Sequence, residues 1–151
     1  MNSYKFSLHL NELHLKFAGS FDGSRLSAII GSAIHLDGFQ LLGDVELYHR
    51  DELGDLLGIR YIELDNYSDG MLVLLAYKKW GQKFFQYLYG AWSFVLHDVD
   101  SGCVLISKDP TENSCLFYLR HHEKIYFSNY SNFFRDSPFF ALNFLISQRE
   151  F

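Results

Sequence analysis

The order of hydrophobic periodicities in this chain predicts an α+β fold in which helices pack on antiparallel sheets. Three observations carry that prediction. Strictly alternating runs come first, helical segments with stop signals fill the middle, and four short apolar runs separated by turn residues follow. The chain has 151 residues, the size of one domain, and we treat residues 1–151 as a single unit. A chain of that length buries about two thirds of its unfolded surface and can build its own core.

Tyr4 to Leu10 alternates polar and apolar residues and reads as a strand. Asn11-Glu12 turns it into a second run, Leu13 to Phe17, so the pair reads as a hairpin. Gly19 to Gly23 has loop chemistry. Segment 25–42 is apolar and fits either a helix or strands, with Gly31 and Gly38 weakening a continuous helix. Val45 to Tyr48 is a short strand. Arg50 starts a helix through Leu57, stopped by Gly58. A stronger helix runs from Gly70 to Trp80, with Ser68 or Asp69 accepting from its free first-turn amides and Lys78-Lys79 suiting its C-terminal dipole. Gln82 to Tyr89 is a second short helix, ended by Gly90. Ala91 to Leu96 reads as a strand buried on both faces. Cys103 to Ser107, Leu116 to Leu119 and Ile125 to Ser128 then continue it as a four-strand meander.

Composition removes several functional classes. Aromatic residues make up 18% of the chain, far too many for a disordered tail. Two prolines and 11 scattered glycines exclude collagen-like and low-complexity chains. Thirteen basic against 18 acidic residues give a net charge of -5, the wrong balance for a nucleic-acid partner. No run has the 18 or so apolar residues that a membrane span needs, and residues 1–10 lack the apolar core of a secretory leader. Cys103 and Cys115 could form one disulfide, but two reduced thiols in a cytoplasmic protein is the expectation. Seven histidines without a His-x-x-x-His pair suggest no metal site. The tip His121-His122 reads as a solvated turn, and Asp51, Glu52 and Asp55 as a solvated helix face. Self-association is compatible with so aromatic a composition.

The order of motifs is familiar. Gly43-Asp44-Val45-Glu46-Leu47-Tyr48-His49-Arg50-Asp51-Glu52-Leu53 is followed by Ser68-Asp69-Gly70 running into Leu74 to Gly81. Tyr89-Gly90-Ala91-Trp92-Ser93-Phe94-Val95-Leu96-His97-Asp98 comes next, then Lys108-Asp109-Pro110, Leu116-Phe117-Tyr118 and Tyr126-Phe127-Ser128. Together they resemble the N-terminal glutamine-amidotransferase domain of the asparagine synthetase family, over about residues 40–130. The Gly-Asp-Val-x-Leu-x-x-Arg-Asp-Glu-Leu form is closest in style to β-lactam synthetases and lasso-peptide cyclases. The resemblance implies an N-terminal-nucleophile hydrolase fold, a four-layer α/β/β/α sandwich of antiparallel sheets.

It also implies a residue-by-residue test. An active member attacks the glutamine amide with a cysteine at its mature N-terminus, whose own α-amine is the general base. This chain begins Met1-Asn2-Ser3 and its first cysteine is Cys103, so Ser3 is the weak candidate nucleophile, reached only by removing two residues. The family's Asn-Gly oxyanion hole falls on Leu42-Gly43: Gly43 keeps its backbone donor and Leu42 offers none, a loss of about 3 kcal/mol of transition-state stabilisation. No arginine for the substrate carboxylate lies in residues 32–42, and Arg25 is the nearest upstream. Asp69 matches the aspartate that holds the glutamine amino group, but without the nucleophile a helix N-cap or first-turn acid is the favoured role. No two glycines are adjacent, so the family's ATP-pyrophosphate loop is absent. ATP and magnesium are expected only in a separate synthetase domain or protein. The resulting expectation is a domain without chemistry of its own that supports or docks such a partner. An amide hydrolase using Ser3, or a small amino-acid-binding module using Asp69, are the alternatives.

Overall fold

A computed structural model describes residues 15–111 and 114–136. The chain runs β1 (Ala18–Phe21), β2 (Leu26–Ile30), β3 (Ile34–Leu36), β4 (Phe39–Leu47), α1 (Arg50–Leu57), a 3-10 segment Tyr61–Asn66, α2 (Asp69–Trp80), a 3-10 segment Gly81–Tyr87, β5 (Gly90–Asp98), β6 (Cys103–Lys108), β7 (Phe117–His121), β8 (Lys124–Ser128) and α3 (Asn132–Asp136). The strands form two four-stranded sheets, ordered β2-β1-β8-β7 and β3-β4-β5-β6. Every pairing is antiparallel.

Side-chain alternation assigns the layers. On β5, Trp92, Phe94 and Leu96 face the helices and join Leu72, Val73, Leu74, Ala76, Tyr77 and Phe84 in the larger core. Val95, on the opposite face, meets Leu42, Phe17, Phe21, Leu26 and Phe127 between the two sheets. Beyond the β2-β1-β8-β7 sheet, Phe133 of α3 packs with Ala18 and Tyr126. Helices, sheet, sheet and a short helix therefore stack in four layers. Gly19 sits against Leu42 of the facing sheet: a Cβ there would lie 2.5 Å from Leu42 Cδ2 and 2.8 Å from Phe127 Cε2.

The helix ends follow their sequence signals. Gly58 adopts φ 76°, and its N–H reaches Asp55 O while Ile59 N–H reaches Gly54 O, the paired bonds of a Schellman stop. Lys79 Nζ adds a third ligand to that end through Leu56 O at 2.5 Å. Ser68 Oγ accepts from Met71 N–H at 3.2 Å and caps α2.

Several expectations change. Residues 4–14 of the expected N-terminal hairpin lie outside the described residues, and Leu15 to Phe17 are not in a strand. The first described strand is instead Ala18–Phe21, across the predicted loop, because Ala18 and Phe21 are core residues and Gly19 is needed for its small size rather than for a turn. The ambiguous stretch 25–42 resolves into strands. Gln82 to Tyr89 forms one 3-10 segment, Gly81–Tyr87. The four-strand meander is split: β5 and β6 stay in one sheet, and the chain crosses after Lys108 so that β7 and β8 join the other. No described helix is long and apolar enough to cross a membrane.

Candidate functional site

Asp69 opens α2 beneath the end of β4, and its carboxylate is tied into the fold on both oxygens. Oδ2 accepts the Leu47 N–H at 2.8 Å. Tyr48 N–H turns the other way, to Tyr89 O across the sheet, so Leu47 N–H is on the strand edge that β5 does not satisfy. Oδ1 makes a 3.1 Å ionic contact with Arg50 Nε, off the hydrogen-bond direction, with both atoms sealed from solvent. Arg50 Nη2 in turn donates to Leu64 O at 3.2 Å and Tyr67 O at 2.5 Å. One ion pair thus fastens the end of β4, the start of α1, the 3-10 segment and the start of α2. Asp69 is a first-turn acid of α2, while the capping hydroxyl itself comes from Ser68.

Arg50 is the residue that sequence reasoning missed. A signal was present: it is the first residue of α1, where a cation opposes the helix dipole. That position marks the cation as one held by other contacts, without naming its partner.

Gly43 lies in the middle of β4 opposite Phe94. A Cβ there would be 2.5 Å from both Cα and Cβ of Phe94, so the absence of a side chain lets the two strands pair. Its neighbour Leu42 is fully buried between the sheets, filling with hydrocarbon the place where the family resemblance expects a donor. Beside them Lys16 Nζ meets Asp44 Oδ2 at 2.6 Å. Gly43 and Asp69 do not converge. Asp69 engages β4 four residues further on, about 13 Å along an extended strand. An open depression of about 380 Å³ beside Arg50 includes neither of them.

The remaining candidates are scattered. Ser3 lies outside the described residues. Arg25 is exposed in the β1–β2 turn, where Asp22 Oδ1 accepts its N–H at 2.8 Å. Cys103 and Cys115 are unbridged, one at the start of β6 and the other in the crossing loop, each with chain on both sides. His121 and His122 sit at the β7–β8 turn with ring centroids 4.1 Å apart. Among the described residues no group of three or more His, Cys, Asp or Glu could hold a metal ion.

Asp109 of the Asp-Pro turn is a structural knot. It has no exposed surface, sheltered by its own loop rather than by depth. Its carboxylate accepts the Trp92 and Thr111 N–H groups, at 3.1 and 3.0 Å, and the hydroxyls of Thr111 and Ser114. Burial pushes its pKa up, but the hydroxyls and amides together outweigh that and bring it down to about 2. Lys108 Nζ closes the turn from outside through Asp109 O and Thr111 O. Part of the sequence following it, residues 112–113, is outside the described residues.

Comparison with curated proteins returns no match. A family model, described as a glutamine amidotransferase domain, matches residues 34–135, two thirds of the chain. That span takes in β3 to β8, α1, α2 and the Asp69–Arg50 pair. The chain therefore belongs to the glutamine amidotransferase domain family.

Proposed function

We propose that this domain does not hydrolyse glutamine and instead supports or docks an ATP-dependent amide-forming partner, of the asparagine synthetase, lasso-peptide cyclase or β-lactam synthetase kind. The observation that carries this reading is the state of Asp69. An aspartate that holds the ammonium of a substrate needs an unspent negative charge facing the site. Here the guanidinium of Arg50 neutralises it at 3.1 Å, and an ammonium brought alongside would meet a cation of its own sign. The apolar Leu42 beside Gly43 points the same way. Neither cysteine, each flanked on both sides by chain, has a free α-amine to act as its base. ATP and magnesium belong, in this reading, to the partner.

Ammonia release from glutamine tests it, with intact-mass measurement on the same sample. The expected result is release no faster than the uncatalysed background. Release at enzymatic rates would overturn the reading. If such activity accompanied a mature form starting at Ser3, the amide-hydrolase alternative would replace it. Saturable glutamine binding abolished by Asp69→Asn, without ammonia release, would favour an amino-acid-binding module.

A further inference from the structure

The segment from Glu46 to Asn66 carries six acids and two arginines, a formal charge of -4 against -5 for the whole chain. Both arginines already have acidic partners. Arg50 is turned in on Asp69, Leu64 O and Tyr67 O, and Arg60 is paired with Glu63. Asp51, Asp55 and Asp65 are exposed and form no ion pair among the described residues. The same surface exposes Tyr61 and Ile62, each 78% accessible. Tyr61, His49, Asp51 and Asp65 line the depression of about 380 Å³ together with Arg50, whose charge is taken up by Asp69, and Tyr89 stands against His49 with ring centroids 6.2 Å apart.

With Arg50 already neutralised by Asp69, the carboxylates of Asp51 and Asp65, unpaired among the described residues, beside the Tyr61 ring and the exposed Ile62 are the surroundings that a lysine or arginine side chain seeks: an ion pair, a ring face and cover from water. The charge selects among occupants. A second copy would bring the same acidic segment and repel it, and an anionic membrane surface would be repelled as well.

We propose that the α1 and Tyr61–Asn66 face is a docking surface for a basic, apolar protein segment, with one lysine or arginine of that segment seated between Asp51, Asp65 and Tyr61. The inference rests on the docking role proposed above and supplies its chemistry. The partner presents a cationic patch, and the contact is salt-sensitive.

The test uses the full chain and three amphipathic 18-residue peptides of one hydrophobic pattern, built from leucine with arginine, glutamine or glutamate, read by fluorescence anisotropy. The arginine peptide is expected to bind at least tenfold more tightly than the other two, and to weaken at least tenfold between 50 and 300 mM salt. The double variant Asp51→Asn, Asp65→Asn, and separately Tyr61→Ala, should each weaken binding about tenfold with the circular dichroism spectrum unchanged. Neutralising Asp100 and Glu123, in the β5–β6 and β7–β8 turns, should leave it unaltered. Equal loss from both acidic pairs would reduce the effect to net charge and overturn the proposal, as would comparable binding of the glutamate peptide. Concentration-dependent dimerisation lost in Tyr61→Ala would assign the face to a second copy and overturn it too. Peptide binding is independent of ammonia release, so failure here and failure of the non-catalytic reading are separate results.

Discussion

Asp69→Ala should destabilise the fold substantially. The substitution removes the acceptor of the Leu47 N–H, a 2.8 Å hydrogen bond to a charged group, worth about 1.5–3 kcal/mol. It also strips Arg50 of its counter-ion. The Arg50 and Asp69 side chains are 33% and 19% exposed, so that contribution falls between the 0–1 kcal/mol of an exposed pair and the roughly 3–5 kcal/mol of breaking a buried one. Arg50 keeps its bonds to Leu64 O and Tyr67 O, which limits the damage. The sum is about 3 kcal/mol, or roughly 6–12 °C in Tm for a domain of this size. Asp69→Asn keeps an acceptor for Leu47 and loses only the charge, so about half of that cost is expected. Urea unfolding followed by Trp80 and Trp92 fluorescence measures both. If Asp69→Ala stays within about 0.5 kcal/mol of the parent, the carboxylate is not a structural clamp and the reasoning fails.

Other outcomes follow from neighbouring geometry. Gly43→Ala places a methyl 2.5 Å from the Phe94 backbone, where neither strand can yield, and should cost at least about 2 kcal/mol in a denaturant titration. Leu42→Asn should cost about 3–5 kcal/mol through a lost core side chain and an unpaired buried amide, and should produce no ammonia from glutamine in a coupled assay. Asp109 titrates below its unfolded value. Its contribution of about 2 kcal/mol is therefore present above about pH 4 and lost as pH falls toward about 2. Acid unfolding of Asp109→Asn should show a flatter stability curve over that interval than the parent. Ser68→Ala should remove about 1 kcal/mol of capping, read as a small drop in thermal midpoint with an unchanged spectrum.

Where local chemistry decides structure, the sequence was readable. The stop at Gly58, the cap at Ser68, the buried strand from Ala91 to Leu96 and the His122 turn all fall where their residues place them. Asp98 caps the β5–β6 turn, accepting from Ser101 N–H at 3.2 Å. The β3–β4 hairpin was equally legible and passed over. Asp37-Gly38 between two apolar runs is a two-residue turn signal, and both residues take positive φ, 43° and 83°. What stayed hidden depends on contacts distant in sequence. Gly19 looks like loop chemistry until Leu42 and Phe127 are seen to press on it. The split of the meander is decided by which face each strand buries, a choice that periodicity in one strand does not reveal. In the site, Asp69 could be found by motif, but its partner could not. Arg50 is 19 residues away, and only the packing of α1 against the start of α2 brings the charges together.

The amide of Leu47 reports most directly on whether Asp69 is spent within the fold. Its backbone signal in a nitrogen-proton correlation spectrum should be strongly protected from hydrogen exchange, and unmoved by glutamine up to tens of millimolar. A saturable shift of that signal, together with the Arg50 Nε–H, would mean that the ligand competes for the carboxylate, and would contradict the account.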